Sequence, residues 1–192
     1  MRRKKEKEYN KVLAVDIGGS TRMGFALYDN EAKTLIDYKS IHPSNVKNNL
    51  EHRKKMLEII TCFNDKYGVD ILIFESIRLF SYGKIQLPTI LSLNKVQTTI
   101  INEFSDLFDI YQVDVRSWKA KVLGSAKCDK NDALRYVRHK YKHVDLIDKI
   151  IKPRKKEIIY ELNADLADAI CISEVLRFDK SVLQDKNKMN YK

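Results

Sequence analysis

Four carboxylates stand where a charged side chain is least expected. Asp16 lies near the end of VLAVDIGG, Glu75 closes ILIFE, and Asp165 and Asp168 interrupt NADLADAICIS. An ionised acid in an apolar run is costly unless it is paired or neutralised. The first two acids fall where β-branched strands end, and the last two lie about one helical turn apart, on one face. Brought together, four acids repel and raise one another's pKa unless divalent cations sit among them. Carboxylates holding two metal ions are what phosphodiester cleavage requires. Blander roles compete: Asp16 could cap the Gly18-Gly19 turn, Glu75 could be an edge residue, and Asp165 could be an acid at a helix N-terminus. Helix capping accounts less well for Asp168, and all four acids together favour a metal site.

Charge points to the same chemistry. The chain has 192 residues and a net charge of +10, and 44% of its residues are hydrophobic. That predicts a globular chain with a polyanionic partner. Arg116 to Tyr160 holds fourteen Lys or Arg against five Asp or Glu, and Met1 to Lys11 holds six against two. The rest is slightly acidic, so the basicity is local. Three widely spaced cysteines (Cys62, Cys128, Cys171) form no CxxC pair, which predicts reduced thiols. The charged start precedes no long apolar stretch, and no run nears the roughly 18 to 20 apolar residues of a membrane span. A cytoplasmic protein with no membrane partner is expected.

The elements that must position these acids can be read in outline. VLAVDIG, MGFALYDN and KTLIDYKSI predict three strands of an antiparallel meander. Val46 to Tyr67 has helical apolar spacing, and Val69 to Phe74 reads as a buried central strand. Leu87 to Phe104 predicts a helix, Phe108 to Val113 a strand, and Lys130 to Tyr141 and Ala164 to Phe178 helices. This order predicts one α/β domain over 1–192, a five-stranded mixed sheet flanked by helices, of ribonuclease H-like arrangement. Residues 1–10 and about 180–192 are expected to be mobile tails. Asp16 and Glu75 meet in the crevice at the strand ends if their strands are neighbours.

DIGGST followed by a strand resembles the phosphate hairpin of actin-like sugar kinases, but the chain is too short for their two lobes and has no second Gly-rich hairpin. A closer likeness covers about Lys11 to Phe178. In order and spacing, Asp16, Glu75, Asp165 and Asp168 resemble the catalytic quartet of RuvC-like Holliday junction resolvases, including phage types. VDVRSWKAKVLGSAKCDKNDALRYV, Val113 to Val137, resembles that family's strand, basic helix, Gly loop and Lys-led helix. Bacterial members often carry His where Asp168 stands, so the metal site is kept and a proton-transfer group is absent. A YqgF-like opening also matches Asp16 to Ala26, without that family's other motifs.

The resemblance implies two Mg²⁺ ions per site, replaceable by Mn²⁺, branched DNA as partner, and a homodimer making paired nicks. For a phage-encoded chain the compartment is the host cytoplasm. It gives Lys130 a substrate-contacting role, against the alternative of a solvated surface lysine. Lys119, Lys121, Lys127, Arg135 and Arg138 would then contact the DNA backbone. In RLFSYGK, Arg78, Phe80 and Tyr82 could meet unstacked bases, although Phe80 could equally belong to the core. Arg154-Lys155-Lys156 resembles a nuclear targeting run and fits backbone contact as well. Two rivals stay open: a nuclease of this fold acting on other branched DNA, RNA/DNA hybrids or structured RNA, and a non-catalytic nucleic-acid binder.

Overall fold

A computed structural model describes residues 9–18, 22–42, 46, 48–77, 87–152 and 157–185. The meander forms as its turn spacing predicts: β1 Lys11–Ile17, β2 Met23–Asp29 and β3 Thr34–Ile41 pair antiparallel in sequence order. Helix α1, Asn49–Tyr67, is capped by the Asn48 side chain and ends at Gly68, whose φ of 68° suits a residue without Cβ. Strand β4, Ile71–Glu75, lies parallel to β1, and β5, Asp109–Val113, lies parallel to β4. Between them runs α2, Leu87–Phe104.

After β5 the chain forms a short helix α3, Val115–Trp118, capped by Asp114, and continues as a π-helical turn over Lys119–Leu123. Helix α4, Lys130–Lys140, opens on a capping box of Asp129 and Asp132. A hairpin follows, β6 Ile147–Lys152 with β7 Glu157–Leu162, and then α5, Ala164–Ser173, and α6, Val175–Phe178. A last strand, β8 Leu183–Asp185, pairs antiparallel with β5.

The main sheet thus has the order β3-β2-β1-β4-β5-β8: the expected five-stranded mixed sheet plus one short edge strand. Two apolar clusters cover its faces. Val12, Ala14, Ile71 and Ile73 pack toward α4 and α5, while Leu13, Val15, Leu72 and Phe74 pack toward α1 and α2. Helices therefore lie on both faces.

One expectation needs correction, and other features go beyond what was expected. The helix over Ala164 to Phe178 breaks at Glu174. That carboxylate is fully buried, accepts hydrogen bonds from Tyr136 and Tyr141, and pairs with Lys140 and Arg177. Within the stretches expected as tails, Tyr9 donates to Asp109 at 2.8 Å, Asn10 is held by Asp70, and residues 180–185 form a 3-10 turn and β8. The hairpin β6–β7 was not anticipated. The outer parts of both tails, 1–8 and 186–192, lie outside the described residues. Among the described residues no helix is long and apolar enough to cross a membrane.

Candidate active site

Strand alternation aims the first two acids. In the parallel register Val15 faces Phe74, so Asp16 and Glu75 stand side by side one place further on. Asp16 shares parity with Val12 and Ala14, and Glu75 with Ile71 and Ile73, which all point to the face covered by α5. Asp165 and Asp168 lie on that helix. Its N-terminus can come this close because Gly24, opposite Asp16, has no side chain. A Cβ there would stand 2.3 Å from the Asp165 carbonyl oxygen, and one on Gly18 would stand 2.8 Å from Asp165 Oδ2.

The four acids act on one another. Burial pushes the Asp16 carboxyl well above the usual carboxylate range, and Glu75, Asp168 and Asp165 push it further, against Lys130. Burial, then the charge of Glu75, raises Asp168 to about 7, while Lys119 and Lys130 oppose the rise. Burial works against the Lys130 ammonium, but Asp165, Asp168 and Asp16 outweigh it and hold its pKa above the ordinary lysine value.

These residues suit a hard divalent cation. The donors are all carboxylate oxygens, and Asp168 Oδ1 is buried without a hydrogen-bond partner among the described residues. As the side chains stand, no three His, Cys, Asp or Glu among the described residues form a ready metal site. Two of the acids are instead tied to neighbours. Trp118 Nε1 donates to Glu75 Oε2 at 2.9 Å, Lys130 Nζ lies 3.3 Å from Asp165 Oδ1, and Arg22 Nε lies 3.8 Å from Asp165 Oδ2.

The basic residues fall into groups. Lys130, at the start of α4, and Lys119 reach the acids electrostatically, and Lys119 also donates to the Cys128 carbonyl at 2.9 Å. Lys121 pairs with Asp179 at 2.9 Å, and Arg135 pairs with Asp132. Lys127 and Arg138 are exposed. Arg78, Phe80 and Tyr82, like Arg154-Lys155-Lys156, lie outside the described residues. The three cysteines are free: Cys62 exposed, Cys128 half-buried, Cys171 buried.

Sequence reasoning assigned no role to three neighbours of the acids. Trp118 is the one tryptophan of the chain and is fully buried. Gln97 donates to the Glu75 carbonyl at 2.9 Å and accepts from Gln112 at 2.9 Å, fixing the end of β4. Arg22 contacts His42 Nε2 at 2.6 Å and Glu161 at 3.0 Å besides Asp165. A lone Trp beside a basic run and an Arg just past the DIGGST turn were the available signals.

No family model matches the sequence, and no curated protein matches it. Solved structures do match. Thermus thermophilus RuvC superposes with a TM-score of 0.56 at 16% identity, over 86% of this chain and 92% of that one. The same protein in complex with a Holliday junction substrate gives 0.55 at 14%, over 86% and 90%. The yeast mitochondrial Holliday junction resolvase Ydc2 gives 0.53 at 14%, over 90% and 80%. At such identities the likeness speaks for the fold: the chain has the ribonuclease H-like fold of RuvC and Ydc2.

Proposed function

We propose that this chain is a divalent-metal-dependent endonuclease that resolves four-way DNA junctions by paired symmetric nicks. The observation that carries the reading is the placement of Asp16 and Glu75 side by side at the ends of neighbouring parallel strands, with Asp165 and Asp168 of α5 packed over the same sheet face. Buried acids that raise one another's pKa are characteristic of sites built to act on charge. The local basic surplus, and a fold shared with a protein solved on a Holliday junction, support the substrate.

Asp16, Glu75, Asp165 and Asp168 would hold two Mg²⁺ ions, with Mn²⁺ as substitute. When bound, such a pair supplies a nucleophilic water and stabilises charge on the departing 3′ oxygen. Trp118 orients Glu75, and Arg22 orients Asp165. Lys130, with an ammonium held firmly charged, offsets negative charge at the scissile phosphate. Lys119, Lys127 and Arg138 contact the DNA backbone, which positions substrate without reading sequence. One quartet makes one cut, so the working unit is an isologous homodimer.

Incubating the chain with a panel of synthetic four-way junctions, flaps and RNA/DNA hybrids in Mg²⁺ tests this reading. Paired nicks on the junction are expected, with a solution mass near twice 22.5 kDa. Asp16→Asn should abolish cutting and leave junction binding near wild type. Full cleavage by that variant would refute the assignment. Cutting only hybrids or flaps would move the substrate, and binding without cutting by the native chain would leave a non-catalytic binder.

A further inference from the structure

The β6–β7 hairpin takes no part in the mechanism above, yet one of its faces is built into the site. Asp148 accepts hydrogen bonds from Ser40 Oγ at 3.1 Å and from Asn163 Nδ2 at 2.8 Å. Glu161 accepts from Arg22 Nη2 at 3.0 Å, and Arg22 also faces Asp165. The hairpin is thus tied to the N-terminus of α5, beside the acids.

Its other face is left exposed by the described residues. Ile158, Tyr160 and Leu162 alternate along β7 and share one side, at 51%, 69% and 42% exposure. Ile147, 52% exposed, pairs directly across from Leu162. A two-stranded ribbon is stabilised poorly on its own. Four large apolar side chains left in water on such a ribbon mark a contact surface rather than a core.

Charge decides what covers it. From Lys149 to Lys156 the sequence carries five Lys or Arg and no acid. Of the three hairpin acids, Asp148 and Glu161 are engaged with the body of the protein, and Glu157 stands opposite Lys152 in the register. A second copy meeting this face through the same hairpin would bring two basic segments together. An apolar surface with an aromatic ring at its centre, and with Lys149 opposite Tyr160 in the strand register, instead fits nucleic acid whose bases are unstacked.

Building on the nuclease reading, we propose that the outward face of the β6–β7 hairpin, centred on Tyr160, stacks on unpaired bases at a DNA branch point and selects branched DNA over duplex.

Fluorescence anisotropy on an immobile four-way junction and a linear duplex of the same sequence, without divalent metal, tests this. Tyr160→Ala should lose about 10-fold in junction affinity, on the scale of one base-stacking contact. Its duplex affinity should stay within about twofold. Tyr160→Phe, which keeps the ring, should bind as wild type, and circular dichroism should show all three chains folded. The inference is overturned if Tyr160→Ala binds the junction as wild type does, while the nuclease reading stands. It is overturned too if the loss accompanies a halved mass in light scattering, which would make this face a contact between copies. A native chain with no affinity for either DNA would remove the nuclease reading itself.

Discussion

Trp118 and Glu75, 43 residues apart in sequence, meet through an indole N–H donated to Oε2 at 2.9 Å. The ring is fully buried, so this hydrogen bond holds the carboxylate from inside the protein. Groups of this kind orient ligands without touching the reacting atoms.

Trp118→Phe keeps most of the ring and removes the donor. The Mg²⁺ concentration for half-maximal cleavage should rise by about 10-fold, within the range seen when a ligand's supporting partner is lost. Junction binding without metal should not change. An unchanged Mg²⁺ midpoint with normal stability would reduce the contact to packing.

A second expectation follows from Asp168, raised to about 7 by burial and Glu75. Its pKa is higher folded than unfolded, so the folded state binds the proton more tightly. Stability from this group is therefore greatest at acid pH, and it falls as pH climbs from about 4 towards 7, where the folded carboxyl loses its proton. Without divalent metal the melting temperature should drop over that window, and Mg²⁺ should restore it most at the alkaline end. Asp168→Asn should flatten the profile and raise the metal-free melting temperature at pH 8 by about 3 °C or more. Calorimetry across pH checks this, and a wild-type profile in the variant would sink it.

Salt dependence separates the basic residues. Lys127→Ala and Arg138→Ala should each flatten the log–log salt slope of junction binding by roughly 0.9, one phosphate contact apiece. Lys121→Ala should do less, because Asp179 already partners that ammonium at 2.9 Å. Equal slopes for wild type and the Lys127/Arg138 double variant would place the DNA surface elsewhere.

The parts of this fold that could be read from sequence are those where local pattern and tertiary role coincide. VLAVDIG and ILIFE are apolar because both sheet faces are covered, and α1 shows its buried stripe at His52, Met56, Ile59, Ile60 and Phe63. The positions of the acids were legible for the same reason, since their surroundings are apolar. The β6–β7 hairpin was not. Its Ile doublets sit among charges with no clean period of two, and one face is exposed, so no burial pattern marks it. Glu174 favours helix, and only its distant partners Tyr136, Tyr141 and Lys140 explain the break there. Arg22 and Trp118 act through contacts 43 to 143 residues away, beyond any local window.

The parallel register of β1 on β4 has a consequence for how such a protein can fail. Side chains alternate, so a slip of one residue in β1 would turn Asp16 toward the apolar cluster that packs against α1 and α2 and bring Leu13 and Val15 round to α5. The misaligned chain would bury a carboxylate in hydrocarbon and lose its packing in the same step. Loss of the site and loss of the fold are thus one event, and a population of well-folded but misaligned molecules has no stable form to occupy.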